Sequence, residues 1–370
     1  MKQRQALFIL NMISGIGPVT VKKLLTRFKT ADKILEADYN TLKTVSGIGH
    51  KAAEAISNRV TVRDWREEWD ECRRAGIEIV TRCDSNYPQQ LLDIYDPPLV
   101  LYVKGQSDIL TGNLIAFVGS RRTSFYGVSV TESFARSAVI ADWTVVSGLA
   151  KGIDTAAHQT VVNSNGRTIA VIGSGLGHLY PQENLALARQ ICKNGAVISE
   201  FPLKCPPDRR SFPMRNRIIA GLSRGTLVIE GGIKSGSMIT ALQSIEQGKP
   251  VFAVPGQITN PQTRGCHKLI NNGAKLVESF YDITEEFTSQ PSLNLNLSET
   301  KKSEQEVEIP LNELEKSLVS TMKERSTALT ADEISEYSEI PIGQVLSTLM
   351  VLEMKRILVQ VPGMRYLLKS

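Results

Sequence analysis

The chain offers little to a disulfide, a metal or a membrane. Its 370 residues include five cysteines, Cys72, Cys83, Cys192, Cys205 and Cys266. They are odd in number, scattered and without a CxxC pair, which argues against bridges or a zinc site and for free thiols in a reducing compartment. No apolar run reaches the length that spans a bilayer. The N-terminus lacks the apolar core and cleavage site of a secretory signal. A soluble, cytoplasmic protein without membrane insertion is expected. The Walker pattern G-x-x-x-x-G-K-[ST] is absent, which removes the usual basis for ATP hydrolysis. No nucleophile–base pair or metal-ligand cluster stands out, so no catalytic residue, metal or cofactor is assigned.

What is present is positive charge in one region. The net charge is +5, with 18 Lys+Arg against 9 Asp+Glu in residues 114–280, 16 against 14 in 1–113, and 9 against 15 in 281–370. The middle region carries the cationic field, the footprint of a polyanion-binding surface. An ordinary basic surface would show the same excess.

Four segments follow from the patterning. Residues 1–76 read as a helical domain with an internal repeat. Ile13 to Gly17 and Val45 to Gly49 both fit h-x-G-h-G opening a helix, like paired helix-hairpin-helix elements whose free amides meet phosphate without reading sequence. A protein-interaction module would use the same turns. Residues 61–76 form an amphipathic helix with Trp65 and Trp69 one turn apart, expected to face the core. Residues 77–286 read as an extended Rossmann-like core. Short apolar runs alternate with helical stretches, which predicts a mostly parallel sheet covered on both faces, an α/β fold whose ligands sit beyond the carboxyl ends of the strands. Residues 287–310 read as a polar linker. Residues 311–370 have helix-turn-helix cadence and an end hairpin turning at Pro362 and Gly363, as in a winged helix.

The strand ends carry the candidate site. Gly119, Ser120, Arg121 and Arg122 follow a strand and precede a helix; their amides and guanidinium groups suit one phosphate, though strand-to-helix turns often use Gly and Ser for their own sake. Ser147 and Gly148 lead to Lys151, a mobile cation at the sheet edge. Asp154 and His158 invite a catalytic or metal reading, but Asp154 as a helix cap and His158 as a packed side chain are preferred. Gly173 to Gly177 read as a tight turn at the ligand-facing edge. Arg215, Asn216 and Arg217 open a helix, and two arginines two apart point to different sides, so one reaches phosphate while the other supports a loop. Phe212 suits base stacking or anchoring of the helix; both remain open. Gly231 and Gly232 would let the backbone approach a ligand, and Lys234, Ser235 and Gly236 supply charge and helix-start amides.

Taken together, GSRR after a strand, SGLAKGIDTAAH, GSGLGHLYP, ISEFP, FPMRNRIIAGLS, a KSGS helix start and FAVPG, in this order, resemble the DprA (Smf) family of DNA-processing proteins. The likeness is strong over about residues 80–285 and looser in the flanking domains. It implies a core that binds single-stranded DNA, protects incoming strands in natural transformation and helps load the RecA recombinase, as a homodimer and without catalysis. The DNA-facing groups it implies are Arg121, Lys151, the Arg215 to Arg217 turn and Lys234. The tail is net negative although Lys355, Arg356, Arg365 and Lys369 gather near its end, so a partner or regulatory role stands beside DNA binding there. The alternative is a nucleotide-processing, phosphoribohydrolase-like enzyme on the same core. The Lys234–Ser235 insertion and the lack of a downstream Glu in the matching stretch argue against it.

Overall fold

A computed structural model of the chain describes residues 2–288, 313–325, 329–338, 340–354, 357–361 and 365–368. It divides into two compact units, 1–292 and 293–370.

The first unit begins with helices α1 (Gln3–Met12), α2 (Pro18–Phe28), α3 (Ala31–Glu36), α4 (Tyr39–Lys43), α5 (His50–Ser57) and α6 (Trp65–Arg74). Both glycine turns do open helices, α2 and α5, and their bends use Gly15 and Gly47 at φ of +77° and +80°, a region costly for any side chain. The helices are not isolated. Their core of Leu7, Phe8, Leu10, Leu24, Ile34 and Ile56 continues into Ile77, Ile79 and Tyr102 of the sheet. Trp69 meets Phe8 edge to face at 5.1 Å between ring centroids, the preferred geometry for two aromatic quadrupoles.

The chain then alternates: β1 (Ile77–Thr81), α7 (Gln89–Leu92), β2 (Val100–Gly105), β3 (Leu114–Val118), α8 (Phe125–Ile140), β4 (Thr144–Ser147), α9 (Ile153–Asn163), β5 (Thr168–Val171), α10 (Leu185–Asn194), β6 (Ala196–Ser199), α11 (Ser211–Leu222), β7 (Gly225–Val228), α12 (Gly236–Glu246), β8 (Val251–Ala253), α13 (Arg264–Asn271), β9 (Lys275–Leu276) and α14 (Phe280–Thr288). The sheet order is β1-β2-β6-β5-β4-β3-β7-β8-β9. From β6 to β9 all neighbours run parallel, while β2 and β1 add antiparallel strands at one edge. Both faces are covered, which is why the strands are continuously apolar. Along β3, Leu114, Ala116 and Val118 pack with Ile218, Ile219 and Leu222 of α11. Ile115 and Phe117 face the other way, onto Phe134, Ala138 and Val161 of α8 and α9. The chain leaves β3 toward β4, β5 and β6, then returns to lay β7 on the opposite side of β3. This reversal opens a crevice at the carboxyl ends of β3 and β7, the place where open α/β sheets bind ligands.

The second unit holds α15 (Glu313–Arg325), β10 (Leu329–Thr330), α16 (Ala331–Ser338), α17 (Ile342–Met354), β11 (Leu358–Val361) and β12 (Arg365–Leu368). Leu318, Met322, Ile334, Val345, Leu349 and Leu358 are its core. β12 pairs antiparallel with both β10 and β11, the wing expected from the sequence. The turn at Pro362 and Gly363, the cations Lys355, Arg356 and Lys369, and the linker expected at 287–310 from residue 289 on lie outside the described residues. Arg365 stands 4.0 Å from Glu333.

One fully buried carboxylate joins the N-terminal helices to the core. Glu68 accepts from the Leu203 amide at 2.5 Å and from Arg63 at 2.9 Å. Glu68→Ala would leave the buried Leu203 amide without its acceptor, while Arg63 keeps Glu71 at 2.8 Å. It is expected to lower unfolding free energy by about 1–3 kcal/mol, read from the urea midpoint of the full chain.

Candidate nucleic-acid interface

The crevice is a cavity of about 660 Å³. Its walls come from the loop after β3 (Gly119, Ser120, Arg121, Arg122), the start of α11 (Phe212, Arg215, Asn216) and the start of α12 (Ser235, Gly236), with Arg209 and Gln262 at its border. A smaller recess joins Arg121, Phe212 and Arg215 to Gly148 and Lys151. Eleven of the fourteen residues assigned from the sequence therefore line one continuous depression.

Arg215 is the buried cation of this depression, 4% exposed. Its guanidinium donates to the carbonyls of Gly148, at 2.6 Å, and Val171, and its Nε donates to Asn216 Oδ1 at 3.1 Å. The ends of β4 and β5 are thus tied to α11. Burial pulls its pKa down to about 10, with Asp154 opposing the drop; it stays charged at neutral pH. A Cβ on Gly148 would come within 2.6 Å of the guanidinium, so glycine is required there by close approach. Asp154 does not cap α9, whose cap is Gly152. Its carboxylate reaches back to accept from the amides of Gly148 at 3.1 Å and Ala150 at 3.3 Å, which folds the loop over β4. Burial pushes its pKa up, and Arg215 pulls it back. Ser147, fully buried, donates to Phe117 O at 2.7 Å and holds β4 to β3; it is structural and faces no cavity.

The rim is more open. Arg121 and Arg122 are exposed. The Arg121 guanidinium lies 5.4 Å from the centre of the Phe212 ring, a cation–π contact, and Tyr180 approaches the same ring at 6.1 Å. Phe212 is only half-buried, so its ring is part anchor and part cavity wall. Lys151 is exposed and paired with Glu183 at 2.5 Å; the pair raises the lysine pKa and lowers that of the acid. The α12 start has Ser235 at the cap position with no side-chain cap bond, leaving first-turn amides for another acceptor. Lys234 is exposed on the same loop but does not line the cavity.

Three further expectations need correction. Arg217 is not in the crevice. It is 5% exposed, bonded to Glu200 and 2.9 Å from Asp96; those acids lie far away in sequence and claim the charge. Burial raises the Glu200 pKa, with Arg217 opposing. The Gly173 to Gly177 turn packs on backbone instead of facing ligand: Gly175 and Gly177 donate to the carbonyls of Cys205 and Leu203 at 2.8 and 2.9 Å. Gly231 makes room for the α12 start, since a Cβ there would sit 2.5 Å from Ser237 Oγ. Sequence reasoning missed Arg209 and Gln262. The former sits in an exposed Asp208–Arg209–Arg210 run just before α11, a signal that was available.

Glu230 is fully buried and accepts from the Ser124 amide at 3.0 Å and from the Ser124 hydroxyl. It orients the start of α8 and is committed to the fold. Among the described residues no group of acids, His or Cys is arranged to hold a metal, and no helix is long and apolar enough to cross a membrane.

Comparison with known proteins agrees with this architecture. Residues 78–288 match the family model of DNA recombination-mediator protein A. The chain belongs to the DprA family. Residues 8–59 match a SAM-like helix-hairpin-helix tandem, and 302–364 match the DprA winged helix domain. The chain is 34% identical to protein Smf of Synechocystis over 96% of both chains, and 39% identical to DNA processing protein DprA of Bacillus subtilis over 78% of this chain and 96% of that one. The crystal structure of DprA from Streptococcus pneumoniae superposes with a TM-score of 0.69 at 36% identity, over 77% of this chain and 98% of that one. A DprA structure from Helicobacter pylori, described for its single-stranded DNA binding mode, superposes with a TM-score of 0.52 at 28% identity, over 57% of this chain and 96% of that one.

His158 lies beneath the β4–α9 loop, fully buried, with Nδ1 2.7 Å from Thr168 Oγ1. Burial, with Arg215 adding to it, lowers its pKa from 6.5 to about 3. The folded state therefore refuses a proton that the unfolded state accepts below pH 6.5. This contribution is absent above that pH and costs stability as pH falls toward 3. Between pH 7 and pH 5 the penalty is about 2 kcal/mol. Urea unfolding at both pH values is expected to show this loss in the wild type and to lack it in His158→Asn. Equal differences in the two proteins would refute the assignment.

Proposed function

We propose that the chain binds single-stranded DNA in the crevice and holds it without cutting it. The observation that carries this reading is the convergence of Arg121, Arg122, Arg209 and Arg215 around the Phe212 ring, with Asp154 the one acid on the wall. The guanidinium groups answer backbone phosphates and the ring gives a base a surface, a combination that tolerates any sequence. The Helicobacter pylori relative, described for its single-strand binding mode, supports the same reading. Strand protection during transformation, delivery to RecA and a cytoplasmic setting belong to the proposal through the family resemblance. So does a homodimer, for which the exposed Leu242 and Ile245 of α12 supply apolar surface. Domain boundaries at residues 76, 286 and 310 are proposed with it, although the N-terminal helices and the sheet share one core.

The phosphoribohydrolase alternative is disfavoured by the loop after β7, where Glu230 is engaged by Ser124 and no general acid or base stands free at the α12 start. Incubation with AMP is expected to release no adenine; release at a useful rate would overturn the non-catalytic reading.

The binding test is electrophoretic mobility with oligo-dT across salt. Affinity should fall steeply between about 50 and 200 mM salt, as phosphate contacts require. Arg121→Ala combined with Lys234→Ala, both exposed, should weaken binding by at least roughly tenfold at fixed salt while the circular dichroism spectrum and melting temperature stay unchanged. Salt-independent affinity, or a double variant that binds normally, would sink the proposal.

A further inference from the structure

We propose a second nucleobase-binding subsite at the start of α8, outside the crevice and continuous with it; this rests on reading the crevice as a single-strand site. Phe125 is 98% exposed and Tyr126 47%. Two adjacent rings open to solvent offer bases a stacking surface. The fold does not need the Phe125 ring. The α8 start is fixed by the Ser124 hydroxyl, which accepts from the Gly127 amide at 3.0 Å, and by the Ser124–Glu230 bonds. The aromatic pair is therefore presented on a rigid mount.

Tyr126 also walls a second cavity of about 520 Å³, shared with Ser124, Gln257, Asn260 and Thr263. Its hydroxyl donates to Pro255 O at 2.8 Å, which holds the opposite loop in place. No charged side chain lines this cavity. It has nothing to offer a phosphate, but it has amide side chains and a ring face for bases. Two short segments join it to the crevice. Arg121 and Arg122 line the crevice, and Ser124 and Tyr126 line the second cavity. Gln262 lines the crevice 3.1 Å from Ser120 Oγ, while Asn260 and Thr263 line the second cavity. Phe125 follows Arg122 by three residues at the head of α8, so a strand leaving the crevice past Arg122 would reach that helix start. The occupant that fits is the continuation of the same single strand, with its phosphates over the arginines and its bases on Phe125 and Tyr126.

The test measures fluorescence anisotropy of labelled oligo-dT with the full chain. Short oligomers of about four nucleotides should fill the crevice alone, and longer ones of about twelve should reach both sites. Wild-type affinity should rise with length. Phe125→Ala should lose roughly tenfold on the longer oligomer and nothing on the shorter one, and Phe125→Trp should restore the loss. Equal affinity of Phe125→Ala and wild type for the longer oligomer overturns the subsite. A loss on both lengths overturns it too, since the ring would then act through the crevice. A changed sedimentation coefficient of free Phe125→Ala places the ring between copies of the chain and overturns it likewise. If the wild type binds neither length, the crevice reading has failed, and the subsite with it.

Discussion

A guanidinium taken out of water is the constraint around which the crevice is built. Arg215 cannot be buried bare; an uncompensated interior charge is too costly. Its compensation comes from the carbonyls of Gly148 and Val171 and from the Asn216 side chain, with Asp154 close enough to hold up its pKa. Each partner is also a structural element. Gly148 and Val171 are the ends of neighbouring parallel strands, and Asp154 ties down the loop between β4 and α9. The interactions that make the buried charge tolerable are those that set the strand ends at fixed positions. The depression has a rigid, positively charged floor before any ligand arrives.

The rim follows a different logic. Arg121 and Arg122 remain in water, where a long side chain keeps its rotamer freedom and its reach. Arg121 rests on Phe212, so the most accessible aromatic surface of the crevice is covered by a group that can leave it. Lys151 rests on Glu183 in an exposed ion pair, which is weakly held in water and open to exchange for another anion. A rigid floor with replaceable contacts at the rim suits a polymer that must be gripped at many places and released.

The periodic features of the fold were legible in the sequence because they are local. Apolar runs and intervening helical stretches specify strand and helix, and from them the parallel sheet with its strand-end site follows. The positions of Gly119, Arg121, Arg122, Phe212 and Ser235 could be read the same way, since each sits where a strand hands over to a helix. What could not be read was which of two neighbouring arginines faces the cavity. Arg215 and Arg217 point to different sides of one helical turn, and the turn alone does not say which side is the cavity. The choice is made by Glu200 and Asp96, which reach Arg217 only once β6 and the loop before β2 are in place. Glu230 shows the same limit. In the sequence it ends a strand beside glycines with no partner in view, while in the fold it is consumed by Ser124. Long-range pairing decides the fate of a charged side chain, and local pattern does not contain it.

The exposed aromatic at the start of α8 presses the point further. The first turn of α8 does not depend on the Phe125 ring, because its orientation is fixed by Ser124 and Glu230. The buried Glu230 fixes the helix start that presents the ring. Reading Glu230 as a mount and Phe125 as what it presents accounts for both with one physical cause: a helix start held rigidly enough that a hydrophobic side chain can be left in solvent. The same loop carries Arg121 and Arg122, so charge and ring are spaced by the backbone of a single short segment. If the crevice binds a polymer alternating phosphate and base, as proposed, that spacing is the simplest way to repeat the contact beyond it.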